Sequence, residues 1–192
     1  MLQNIFFTPV FAHVFQSEVL NSIQTEIETQ LLTIRENQKP SPWGDSVSTT
    51  FDFDVKVNDI ENYKLDTLKN MIFWSVKEYF KSLEYPFEQL NLSESWFNIC
   101  SKHGFQYDHT HPQSKISGVY YYSTNSTDGG IRFQSPNTMM HFSGFPSDGC
   151  DISSVTYKPR VGQLLLFPSW LTHRVNLNTT DSERISIAFN LE

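Results

Sequence analysis

Three histidines mark the place in this sequence where metal chemistry could gather. In the run Asp108-His109-Thr110-His111 two imidazoles stand two positions apart, and His173 follows much later. If the first segment is extended, residues at i and i+2 point to the same face, so His109 and His111 can reach one ion. With His173 they make three protein ligands with coordination positions left over, the pattern of a catalytic site, whereas a structural site closes with four. Asp108 adjoins His109, faces the other way on an extended strand, and is a poor ligand candidate. His103 and His141 have no partner at a defined spacing and read as solvated or hydrogen-bonded side chains. Past His173, Arg184 and Ser186 share one strand face. A guanidinium fork beside a hydroxyl suits the distal carboxyl of a dicarboxylate, which Arg binds in bidentate fashion. Taken singly, each feature also has a plainer reading: an H-x-H on a surface strand, a structural histidine, an arginine in a strand-edge ion pair.

The elements that must position these side chains can be read from the patterning. Leu20, Ile23, Ile27, Leu31 and Ile34 recur at helical spacing, with Ser17 as a candidate cap. Residues 38–44, with two prolines and a glycine, form a loop. Phe51–Val57 alternates apolar and polar as a half-buried strand does. A second helix is expected over Ile60–Leu83, capped by Asn58 or Asp59 and stopped before Pro86, with Leu65, Leu68, Ile72, Val76, Tyr79 and Leu83 on one stripe. From Ser95 onward short β-prone runs dominate: Trp96–Cys100, Ser117–Tyr122, Ile131–Phe133, Leu164–Phe167 and Arg184–Phe189. Turn clusters separate them, Lys158–Gly162 with Pro159 among them, as in an antiparallel sandwich or barrel.

The 192 residues carry Lys+Arg 14 against Asp+Glu 21, a net charge of −7. The length fits one domain, in which residues 1–94 give helical and strand support and 95–192 the β core that carries the site. The acidic balance weighs against a binder of nucleic-acid backbones. No apolar run approaches the ~20 residues of a membrane helix. The opening Met1–Phe15 lacks a basic leader, carries Pro9 and His13 inside its apolar stretch, and reads as a strand. Cys100 and Cys150 have the spacing of neither a disulfide framework nor a zinc site. A soluble protein of the reducing cytoplasm is the expectation.

Three segments resemble a known family: residues 109–121 (HTHPQSKISGVYY), 158–173 (KPRVGQLLLFPSWLTH) and 183–190 (ERISIAFN). With Phe7-Thr-Pro9 and Trp96-Phe-Asn98, they look like the 2-oxoglutarate and Fe(II)-dependent oxygenases of bacteria and marine phages, which are similar to prolyl hydroxylases. The resemblance implies a mainly β fold with flanking helices: a double-stranded β-helix (a jelly roll, cupin-like) with two N-terminal helices packed on the sheet. It implies Fe(II) held by His109, His111 and His173. It implies 2-oxoglutarate bound through its C5 carboxylate by Arg184 and Ser186, with Tyr121 rather than Tyr120 assisting and Asn98 in the same pocket. Dioxygen and a further substrate complete the expected reaction, a hydroxylation coupled to decarboxylation of 2-oxoglutarate; halogenation, which vacates a ligand position, does not fit three candidate ligands. Such an enzyme would work in the cytoplasm, that of the host cell if phage-encoded.

One departure is visible. Relatives in the wider superfamily read His-x-Asp or His-x-Glu where this chain reads His109-x-His111, which leaves the site one unit more positive unless a neighbouring carboxylate compensates. Imidazole also suits Zn, Ni and Cu. A three-His hydrolase or isomerase on a cupin scaffold, and a non-catalytic jelly-roll binding module, therefore stand beside the oxygenase. The substrate (a protein residue, a nucleobase or a metabolite) is not written in the sequence. Residues Ser135–Tyr157, long and turn-rich, are the expected substrate lid, and Trp43 and Trp170 fall in loops.

Overall fold

A computed structural model describes residues 7–87, 89–137 and 153–192. In chain order they form β1 (Phe11–Val14), α1 (Ser17–Glu36), β2 (Lys39–Pro40), β3 (Val47–Thr49), α2 (Asp59–Asn62), α3 (Asp66–Ser82), β4 (Leu92–Cys100), β5 (Gln106–His109), β6 (Ile116–Ser123), β7 (Ile131–Gln134), β8 (Ser154–Tyr157), β9 (Gln163–Pro168), β10 (His173–Val175) and β11 (Arg184–Leu191). The strands make a seven-stranded sheet, β1-β9-β6-β11-β4-β3-β2, and a four-stranded sheet, β5-β10-β7-β8. This is the jelly roll: from β4 to β11 the chain alternates between the two sheets, except that β7 and β8 are paired neighbours in the small one.

Period-two patterning divides the strands of the large sheet between two jobs. On the central strand β11, Ile185, Ile187, Phe189 and Leu191 belong to one core with Ile23, Ile27 and Ile34 of α1 and Leu68, Ile72, Val76 and Tyr79 of α3. The intervening Arg184, Ser186 and Ala188 line a cavity on the other face of the sheet. On β9, Leu164 and Leu166 join the helix-side core, while Leu165 and Phe167 pack against Ile131 and Phe133 of the small sheet. The helices thus seal one face of the large sheet and leave its other face to the small sheet and the cavity.

Several local expectations are corrected. Phe51–Val57 is not a strand: the Asp52 carboxylate accepts from the Asp54 backbone N–H at 2.9 Å, an Asx-type bend. Phe51 and Phe53 pack against Trp43 instead of facing alternate sides of a sheet. The helix expected over Ile60–Leu83 is two pieces, α2 and α3, broken where Lys64 adopts φ 54°. The new N-terminus of α3 is capped from another helix, the Glu26 carboxylate accepting from Thr67 N at 2.8 Å and Leu68 N at 3.4 Å. Asn58 does cap α2, accepting from Glu61 N, but Ser17 gives α1 no side-chain cap. Of the expected lid, residues 138–152 lie outside the described residues, as do His141 and Cys150, and Ser154–Tyr157 is β8. Among the described residues no helix is long and apolar enough to cross a membrane.

Candidate active site

Strand register assembles the histidines. β5 and β10 pair antiparallel with His109 directly opposite His173, which brings their ring centroids to 4.3 Å. His111 lies just past the end of β5, where its backbone N–H donates to the Ser169 carbonyl at 2.9 Å. The Nε2 atoms of His111 and His173 stand 3.3 Å apart, and one ring nitrogen from each of the three histidines lies within 4.8 Å of the others.

Their tautomers follow from their partners. Nδ1 of His109 faces the Tyr107 carbonyl at 2.7 Å and Nδ1 of His173 faces the Leu171 carbonyl at 2.8 Å. A carbonyl only accepts, so each Nδ1 carries the hydrogen and each Nε2 offers a lone pair. Burial favours the neutral rings: it holds His109 below the usual histidine range and pushes His111 and His173 down to about 3, the neighbouring imidazoles adding to the shift.

The opposite wall comes from the large sheet. Asn98 on β4, Ser186 on β11 and Tyr121 on β6 form one cross-strand row, and Arg184 pairs with Cys100 in the next. All of them line the same cavity as the three histidines. Arg184 is 3% exposed, and its Nη1 donates to the carbonyls of Asp128 and Gly129 at 2.5 and 2.7 Å. The Asp128 carboxylate is itself fastened by Thr124 Oγ1 at 2.6 Å and Asn125 N at 3.0 Å. Gly129 sits at φ 85°, and a Cβ there would fall 2.2 Å from the Asn176 carbonyl, so the turn that orients Arg184 requires glycine. Burial pushes the Tyr121 hydroxyl up to about 12, with Arg184 pulling the other way, which keeps it a donor. The Asn98 Oδ1 is buried with no hydrogen-bond partner among the described residues.

All seven side chains expected from the sequence, His109, His111, His173, Arg184, Ser186, Tyr121 and Asn98, therefore face one cavity. Sequence reasoning missed the Asp128-Gly129 turn, visible only as part of a turn-rich cluster. It also missed the aromatic wall: Trp43 lies near-parallel to His109 with centroids 6.2 Å apart, and Trp96 lies 5.7 Å from His111. Phe51 touches both tryptophans, at 4.4 and 5.2 Å. His103 is exposed, and Asp108 approaches Arg174 at 3.9 Å rather than the cavity.

A family model described as "Putative 2OG-Fe(II) oxygenase" matches residues 94–190, half of the chain and all seven of the side chains expected from the sequence. The chain belongs to the 2OG-Fe(II) oxygenases. No curated protein matches it by sequence, but solved structures share its fold. A Pseudomonas putida prolyl-4-hydroxylase is 14% identical at a TM-score of 0.59, covering 96% of this chain and 92% of its own. HygX from Streptomyces hygroscopicus, solved with nickel, 2-oxoglutarate and hygromycin B, is 16% identical at 0.59, covering 96% and 82%. A Trichoplax adhaerens prolyl hydroxylase bound to a hypoxia inducible factor peptide fragment is 14% identical at 0.58, covering 95% and 82%.

As a 2OG-Fe(II) oxygenase the protein uses Fe(II) and 2-oxoglutarate, and its own residues fit both. Two nitrogens on one ion at about 2.1 Å stand about 3.0–3.4 Å apart at right-angled or tetrahedral positions, and His111 and His173 present that spacing already, at 3.3 Å. The donor set is three neutral imidazoles. Among the described lining residues Arg184 is the only one with a formal charge, so a dianionic cosubstrate in this cavity would meet a cation with no competing carboxylate.

Proposed function

We propose that this oxygenase is a hydroxylase in which His109, His111 and His173 hold Fe(II), and Arg184, Ser186, Tyr121 and Asn98 hold 2-oxoglutarate by its C5 carboxylate. One observation carries the reading: three imidazoles and one buried guanidinium line opposite walls of a single cavity. When bound, the iron and cosubstrate supply an oxidative decarboxylation that converts 2-oxoglutarate and dioxygen to succinate and carbon dioxide and leaves one oxygen atom on a substrate C–H carbon.

The protein's part is placement. The Tyr107 and Leu171 carbonyls hold two imidazoles with their lone pairs inward, ready to bind metal without first losing a proton. Arg184, oriented by the Asp128 and Gly129 carbonyls, supplies the charge that aligns the diacid, and the Ser186 and Tyr121 hydroxyls supply neutral donors beside it. Trp43, Trp96, Val119 and Phe167 wall the cavity with apolar surface, which excludes water from the reacting atoms. A zinc hydrolase has no comparable use for a buried arginine on the wall facing the histidines. The reacting part of the substrate, whether protein residue, nucleobase or metabolite, meets aromatic walls.

The test is anaerobic loading with Fe(II), addition of 2-oxoglutarate and oxygen, and succinate measured by mass spectrometry. Slow succinate release without any added substrate is the expected result. Failure to bind either metal or 2-oxoglutarate refutes the reading.

A further inference from the structure

The turn between β9 and β10 holds two of the three imidazoles at once. The Ser169 carbonyl accepts from the His111 backbone N–H at 2.9 Å, and the Leu171 carbonyl accepts from His173 Nδ1 at 2.8 Å. Leu171 N closes the turn on the Pro168 carbonyl at 2.9 Å. A one-ångström drift of this turn would move both rings together, so whatever pins it sets the geometry of the site.

Backbone bonds hold it at two points, Ser169 N–H donating to the Lys115 carbonyl at 3.2 Å and Gln134 N–H to the Thr172 carbonyl at 2.9 Å, and a chain of polar side chains adds a third tie. Ser169 Oγ lies 2.8 Å from Ser117 Oγ on β6, Ser117 Oγ lies 2.8 Å from Asn190 Oδ1 on β11, and Asn190 Nδ2 lies 3.1 Å from Glu94 Oε2 on β4. Ser169, Ser117 and Asn190 are 0, 1 and 4% exposed. The direction of every proton is determined. The Glu94 carboxylate only accepts, so Asn190 turns its amide nitrogen to it and its oxygen to Ser117. Ser117 must then donate to Asn190, which leaves Ser169 to donate to Ser117. Burying this many polar groups costs stability unless each is paired, and apolar side chains would pack the turn onto the large sheet as well. Its end point, the turn beneath His111 and His173, is where such a network has a use.

We propose that Ser169 is a positioning residue for the metal centre, with Ser117 and Asn190 as the relay that anchors it to the large sheet. This rests on the reading that His109, His111 and His173 are the metal ligands. Loss of the Ser169 hydroxyl leaves the turn on its backbone bonds alone, so the spacing of the imidazoles is less tightly fixed while the core beneath the helices stays intact.

Co(II) binding to the full chain tests this, read by equilibrium dialysis and by the visible d–d bands, for wild type, Ser169→Ala, Ser117→Ala and the double variant. Ser75→Ala is the control, because Ser75 is a buried hydroxyl on α3 bonded to the Met71 carbonyl at 2.8 Å, away from the cavity. Outer partners of metal ligands are typically worth about 10–100-fold in affinity. Ser169→Ala and Ser117→Ala should each weaken Co(II) binding by roughly that factor and alter the d–d bands. The double variant should bind no more weakly than the worse single one, since both cut the same chain. Ser75→Ala should lower the urea midpoint and leave Co(II) affinity unchanged. An affinity for Ser169→Ala within about twofold of wild type, with the same spectrum, overturns the proposal; so does an equal loss in Ser75→Ala. A wild type that takes up no Co(II) refutes the metal-site reading itself, a separate result that removes the ground for this one.

Discussion

Lowering the pH of the metal-free protein should destabilise it steeply, and by an amount the structure sets. Burial holds His173 and His111 at about 3 in the folded protein, against 6.5 for an exposed ring. The unfolded chain therefore takes up protons between those two values that the folded protein refuses. The stability from these neutral rings is fully present above 6.5, is lost progressively as pH falls through that window, and stops falling below about 3. Between about pH 8 and about pH 5 the loss is about 2 kcal/mol for one such histidine, from 1.36 kcal/mol per unit of displaced titration. His173 is 3% exposed, so solvent screening does little to reduce that figure. The assay is the urea midpoint of EDTA-treated protein across this range, for wild type and His173→Gln. Wild type should lose about 2 kcal/mol more than the variant between these pH values. Equal slopes for the two would refute the reasoning, because carboxylates elsewhere titrate identically in both.

Arg184→Ala should weaken 2-oxoglutarate binding by roughly 10–100-fold, the worth of one charge-assisted pair, while metal uptake measured by dialysis stays near wild type. Arg184→Lys should recover only part of that loss, since an ammonium lacks the fork. Gly129→Ala should lower stability by about 1–3 kcal/mol in thermal melts and weaken 2-oxoglutarate binding as well, because the strained turn is also the rest for Arg184. Glu26→Ala should cost about 1–2 kcal/mol in the urea midpoint by uncapping α3, with metal affinity unchanged.

Much of the site was legible because its residues sit on strands with firm periodicity. Arg184 and Ser186 were assigned one face by spacing alone, and β11 does put both toward the cavity. The convergence of His109 and His111 needed only a locally extended chain, and their meeting with His173 then followed from strand pairing. What stayed hidden depended on contacts distant in sequence. The break between α2 and α3 is invisible in the stripe of Leu65, Leu68 and Ile72, because the carboxylate that starts α3 comes from Glu26 on another helix. Phe51 and Phe53, which open the alternating run, pack on Trp43, a contact no period-two rule anticipates. Asp128 and Gly129 act on Arg184 through their carbonyls, and backbone groups leave no mark on residue type beyond the glycine itself. Short strands such as β10, three residues long, offer too little pattern to read.

The interleaving along β11 has a consequence for how this enzyme can change. Odd-numbered positions from Ile185 to Leu191 hold up the molecule, and even-numbered Arg184 and Ser186 line its cavity. Substitutions scanned along this strand should split by parity, one series losing soluble expression and the other losing turnover from well-behaved protein. A lineage could thus acquire new substrates by altering every second letter while its foundations went untouched.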